Sequence, residues 1–292
     1  MGCKKRRGNV EDYKKFKDNA VKQLDSYLQG LLISKEDKSL KKIKLMSYWM
    51  KEYCMYLKQE DTFKPNRLKR YERGDVIKVN LGYNVGSEEG GLHYAIVLDK
   101  KNSLNSPVIT VIPLTSVKNE ERPVRDQEVF LGDEIYKNIS VKFESTKDNC
   151  VSELKRDAES FALLHERIFE LRSKINFSEF EYSKAASKNA KAKIEREVEG
   201  ITEELLVCLS KLEELEKQMA DAEKSMDLLK KLERELNGMK KGSIALIGQI
   251  TTISKQRIYD PKNINHVLSG IKLSPSNLDK INQKLKDLYV YE

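Results

Sequence analysis

From Ile201 the apolar positions run Ile201, Leu205, Cys208, Leu212, Leu215, Met219, Ala222, Met226 and Leu229, in alternating steps of four and three. A seam kept over about four heptads demands a long helix with a partner along its length. An earlier run, Val151, Leu154, Ala158, Phe161, His165, Ile168, Arg172 and Ile175, keeps the same rhythm with two polar members. The two runs face either each other or another copy of the chain. On both sides of them the period changes to two. "DVIKVNL", "HYAIVLD", "PVITVIPLT" and "EVFLG" precede the seam, and "GSIALIGQITTI" and "KQRI" follow it, each bounded by turn residues as strands are. If those strands share one small sheet, the chain must leave and return at nearly the same place. The runs are therefore expected to form an antiparallel hairpin with its tip near Ala185 to Lys193, in arms of about 40 residues or roughly 60 Å. Ser178 and Glu181 in "NFSEFE" carry a capping signature that offers another break point.

Before the first strand, Tyr13, Phe16, Ala20, Leu24, Tyr27 and Leu28, then Leu40, Ile43, Met46, Trp49, Met50, Tyr53 and Leu57, recur at helical spacing. They predict a helical hairpin broken near Ser34, followed by a polar linker containing Pro65. A helix from about Ser274 to Leu288 closes the chain, with Leu278, Ile281, Leu285 and Leu288 on one face. The expected units are a helical extension over 1–69, strands over 70–145, a coiled-coil insertion over 146–240, and strands with a closing helix over 241–292.

Charge is uneven. Net charge is +8, yet Met1 to Asp75 carries 20 Lys and Arg against 11 Asp and Glu, while Cys150 to Lys240 carries 17 against 20. A basic region is an electrostatic footprint for nucleic acid or an acidic partner, and equally a device for solubility. Cys3, Cys54, Cys150 and Cys208 are scattered, with no C-x-x-C pair and only three histidines to join them, so neither a cofactor nor a metal site is expected. No apolar run approaches the ~18 residues of a membrane span, which points to the cytoplasm. Gly2 and Cys3 precede a basic cluster as in some acylated proteins, but Arg6 stands where a myristoylation signal needs Ser or Thr.

"RGDVIKVNLGYNVGSEEGGLHYAIVL", "SPVITVIPLTS" and "GSIALIGQITTISKQRI" resemble, in that order, the MazF/PemK family of toxin endoribonucleases of toxin-antitoxin systems. The resemblance covers about 70–133 and 240–290. It implies an α+β protein built on a small antiparallel SH3-like β-barrel, as in MazF, PemK and CcdB, with the N-terminal helical hairpin and the antiparallel coiled coil as additions. It also implies a homodimer that acts as a metal-independent mRNA interferase. Such an enzyme cuts single-stranded RNA at specific sequences and leaves a 2′,3′-cyclic phosphate and a 5′-hydroxyl.

Carried over by position, the family's catalytic threonine matches Thr115 in "PLTS" and its loop glutamate matches Glu88 in "GSEEGG". The family's catalytic arginine matches His93, a departure from the pattern. Imidazole can take or give a proton near neutral pH, whereas guanidinium is mainly a charge clamp. His93 for Arg thus preserves proton transfer at some cost in phosphate affinity, unless it is only a strand residue with a polar tip. Ser87, Glu89 and Ser116 are companions in substrate binding. Arg73, Lys255 and Arg257 are candidate phosphate contacts, the last two placed on one face by strand alternation. Gly248 stands where the family often has a glutamate before Gln249.

The helical additions are read either as packing and dimerisation devices or as regulators that cover the RNA groove or receive an inhibitor. The family implies a cognate antitoxin whose acidic tail occupies the groove. The competing readings are a barrel without catalysis that binds RNA, and one that inhibits a protein target such as DNA gyrase.

Overall fold

The structure is a computed structural model, and it describes residues 9–117 and 123–290. Gly2, Cys3 and Arg6 lie outside the described residues. Among these residues Cys54, Cys150 and Cys208 are free thiols, and no helix is long and apolar enough to cross a membrane.

Two helices, α1 (Val10–Ser34) and α2 (Asp37–Gln59), open the chain, separated where Lys35 takes a left-handed conformation. Strands β1 (Val76–Asn80), β2 (Leu92–Val97), β3 (Val108–Ser116) and β4 (Glu128–Gly132) follow. Next come the long helices α3 (Glu134–Lys184) and α4 (Lys188–Gly238), then β5 (Ser243–Leu246), β6 (Thr251–Ser254), β7 (Ile258–Asp260) and α5 (Pro275–Tyr289). Each helix of the excursion has 51 residues, or about 75 Å, longer than the expected arms, and the turn between them takes only 185–187. The extra length lies at the base, because α3 starts ahead of the boundary expected at 146. Its first turns carry Ile135 and Ile139, which are fully buried in the main core, as is Leu232 near the end of α4.

The sheet is antiparallel, in the order β4-β5-β3-β2-β1-β7. β3 is long enough to take β5 along its second half and β6 along its first. Among the described residues β4 and β7 do not pair, so the hydrogen-bonded sheet is open. β6 and β7 are, however, separated only by the 3₁₀ turn Lys255–Arg257, so the chain passes directly from pairing with β3 to pairing with β1. Both faces of the sheet are covered. Ile77, Val79, Ala95, Val97, Ile109, Val111, Ile253 and Ile258 form one core with Tyr71 and Leu81. Val76, Ile96, Ile112, Leu114 and Ala245 face the other way, onto Ile135, Ile139, Leu232 and the segment running into α5.

Glu235 fixes the base of α4 to the sheet by accepting from Lys78 Nζ at 2.6 Å and from the Tyr94 hydroxyl. Further out the excursion is a two-helix layer, with Ile168, Leu171 and Cys208 buried between the arms and Arg167 paired with Glu204 across them. Two helices cover such a seam incompletely: Met219, one of the predicted seam residues, remains 45% exposed.

Candidate active site

The site arises where the inner face of the strands runs out of apolar residues. β2 and β3 pair Ala95 with Pro113, and carrying that register two residues further sets His93 opposite Thr115. Both continue the column begun by Ala95, Val97, Ile109 and Val111. Cross-strand neighbours share a face, so an imidazole and a hydroxyl replace hydrocarbon at the open end of the inner core.

His93 is oriented by the backbone. Its Nδ1 lies 3.1 Å from the carbonyl oxygen of Leu114, and a carbonyl only accepts, so Nδ1–H is the donor there. Nε2 lies 3.5 Å from a carboxylate oxygen of Glu89. This geometry suits a base: the backbone orients the ring, and the carboxylate stabilises the imidazolium that forms when a proton is taken.

The carboxylate beside His93 therefore belongs to Glu89, not to Glu88, the residue that matches the family's loop glutamate. Glu88 turns back to accept from the Val85 N–H at 3.4 Å. Val85 to Glu88 form a turn closed by the Glu88 N–H donating to the Val85 carbonyl at 3.3 Å, which folds Glu88 back on the loop and separates the pair.

Three hollows follow one another around the β1–β2 loop. The first, about 540 Å³, is lined by Ser87, Glu89, Thr115, Arg125, Gly248 and Gln249, among others. The second, about 380 Å³, shares Glu89, Gly248 and Gln249 with it and adds Asn84, Glu88 and Arg257. The third shares Asn84 and Glu88 with the second and reaches α2. Together they form a groove running from Thr115 past Arg257 to the N-terminal helices.

Arg257 donates from Nε to the Asn80 carbonyl at 2.7 Å and lies 5.2 Å from the centre of the Trp49 ring. Burial lowers its pKa, and the cation is held rather than loose in solvent. Lys255 is a correction. It sits in the 3₁₀ turn instead of a strand, is only 2% exposed, and donates to the Ser103 carbonyl at 2.8 Å. With no strand alternation to align it with Arg257, its ammonium is spent inside the fold. Arg73 is likewise committed away from the groove, to the Leu98 carbonyl and the Asn282 side chain on α5. Ser116 pairs with Ser243 of β5 and projects opposite to Thr115.

Two groups of the groove were not singled out from the sequence. Arg125 lines the Thr115 hollow with an exposed side chain, while its backbone N–H donates to Glu128 at 3.0 Å. Gln249 accepts from the Glu89 N–H and donates to the Ser87 carbonyl, both at 3.2 Å, so it clamps the loop that carries the carboxylates. A Cβ at Gly248 would stand 2.3 Å from the Gln127 side-chain oxygen, so a residue larger than glycine there requires that side chain to move. Gln249→Ala removes two hydrogen bonds worth about 1 kcal/mol each. Amide exchange at Glu89 is then expected to accelerate by at least tenfold, and an unchanged rate would show that the loop is fixed by other contacts.

The fold is a mixed one of helices and an antiparallel sheet, with Thr115, Arg125 and Arg257 along one cleft and the His93 imidazole beside Glu89, which lines that cleft. Residues 72–148, which hold β1 to β4 and the start of α3, match the family model of the PemK-like, MazF-like toxins of type II toxin-antitoxin systems. The likeness read from the sequence is thus shown for that segment. No curated protein matches the chain.

Proposed function

We propose that the protein is a metal-independent, sequence-specific endoribonuclease of the toxin type, cutting single-stranded RNA to 2′,3′-cyclic phosphate and 5′-hydroxyl ends. The observation that carries this reading is the placement of His93, with Nδ1 at the Leu114 carbonyl, the residue before Thr115 in β3, and Nε2 beside the Glu89 carboxylate. In the proposed step Nε2 takes the proton of the 2′-hydroxyl, and the 2′-oxygen bonds to phosphorus. The bond to the 5′-oxygen breaks, that oxygen takes a proton from water, and the hydroxide left takes back the proton from Nε2. The Thr115 hydroxyl donates to the phosphate, while Arg125 and Arg257 supply the positive charge that His93 lacks compared with the family's arginine.

The passage of β6 through one 3₁₀ turn into β7 supports an SH3-like barrel closed by the chain rather than by hydrogen bonds. The exposed seam residues of α3 and α4 support a coiled coil that pairs with a second copy, and the family match supports an antitoxin as partner and the cytoplasm as location.

The test is cleavage of a long single-stranded RNA in excess chelator, with the fragment ends analysed. Wild type is expected to cut and leave cyclic phosphates. Thr115→Val is expected to lose about 10²- to 10³-fold, the range for removing one transition-state donor. An inert wild type that still binds RNA or a protein target would replace this reading with a non-catalytic barrel.

A further inference from the structure

The third hollow, about 420 Å³, lies between α2, which is outside the segment that matches the toxin family, and the end of β1 with the β1–β2 loop, which are inside it. Tyr48, Trp49 and Glu52 of α2 form one wall, and Asn80, Tyr83 and Asn84 form the other. The indole is held in place. Gly82, at φ +84°, lies so close that a Cβ there would stand 2.7 Å from the ring, and the Arg257 guanidinium covers the ring at 5.2 Å. Asn80 also donates to the Glu52 carboxylate, tying α2 to the end of β1. Tyr48 remains 60% exposed at the mouth.

Aromatic planes beside amide and carboxylate groups are what an unstacked nucleobase requires, the planes for stacking and the polar groups for its edge. A bound peptide would instead call for a deep apolar anchor, and the hollow offers polar groups on both walls. Asn84 and Glu88 line this hollow and the Arg257 hollow alike, so one strand can pass between them. The basic excess of residues 1–75, 20 against 11, favours a polyanion along α2.

We propose that this hollow binds one base of the single-stranded RNA whose backbone crosses the Thr115 cavity, so that α2 takes part in choosing the cut sequence. The inference rests on the nuclease reading above.

Trp49 is the chain's one tryptophan and lines this hollow, so its fluorescence in the folded protein is sensitive to what binds there. The probe is an RNA spanning a mapped cut site, made uncleavable by a 2′-deoxy substitution at the attacking nucleotide. An abasic residue is moved along it position by position. Binding is expected to quench Trp49, and one abasic position is expected to abolish the quench and weaken binding roughly 5- to 100-fold, the range for one stacked base. Tyr48→Ala is expected to weaken binding within the same range and to make that abasic substitution nearly silent, as two changes to one contact do.

RNA cut normally by Tyr48→Ala, with KM and cut site unchanged and no position-specific quench, overturns the base site and leaves the nuclease standing. Wild type that neither cuts nor binds RNA overturns both. Quenching by a Glu-rich peptide but not by RNA overturns the base site in favour of a peptide groove.

Discussion

Replacing His93 by Ala is expected to lower RNA cleavage by about 10²- to 10⁴-fold, the range for loss of a general acid or base. The fold should tolerate the change. What is lost structurally is one half-buried hydrogen bond to the Leu114 carbonyl, about 1 kcal/mol. Added imidazole is expected to restore part of the rate in His93→Ala, because a free base can enter the space left by the ring. His93→Arg separates proton transfer from charge, since guanidinium supplies the second and performs the first poorly. If His93→Ala cuts as fast as wild type while remaining folded, the histidine is a strand residue and the base must be sought elsewhere.

Leu232→Ala is expected to produce the largest loss of stability, about 2–5 kcal/mol for deletion of a fully buried leucine side chain. Leu232 is on α4, yet it packs with Ile135, Ile139, Ile112 and Ala245 in the core under the sheet. The strands and the base of the hairpin should therefore melt together at a lower urea midpoint, followed by circular dichroism and by Trp49 fluorescence. A transition in which the helices melt early while the Trp49 signal stays at its wild-type midpoint would mean that the hairpin is an independent appendage. Leu163→Ala, at an exposed position of α3, serves as the comparison and is expected to change little.

Arg125 and Glu89 show where sequence reasoning reached its limit. Glu88 and Glu89 are chemically equivalent in a sequence, and only the course of the loop assigns one to His93 and the other to the Val85 amide. Arg125 is one exposed cation among many in the sequence, and only the fold shows that it lines the same hollow as Thr115. Lys255 failed for the opposite reason. Its spacing fits a strand, but the 3₁₀ turn that leads β6 into β7 rotates it inward.

The sequence by itself determined most of the order and type of the elements, because period-two runs and a heptad seam impose their backbones locally, and the out-and-back geometry followed from chain continuity. The 3₁₀ turns Ile247–Gln249 and Lys255–Arg257, which interrupt runs read as strands, were not legible in it. It also marked the strands and loop that carry His93 and Thr115, since those motifs are contiguous in the chain. Which groups share the groove was decided only by the tertiary structure. The groove joins α2, the β1–β2 loop, the end of β3 and the connection between β5 and β6, parts separated by up to about two hundred residues. Contacts over such distances depend on how both faces of the sheet are buried, and local periodicity does not encode that.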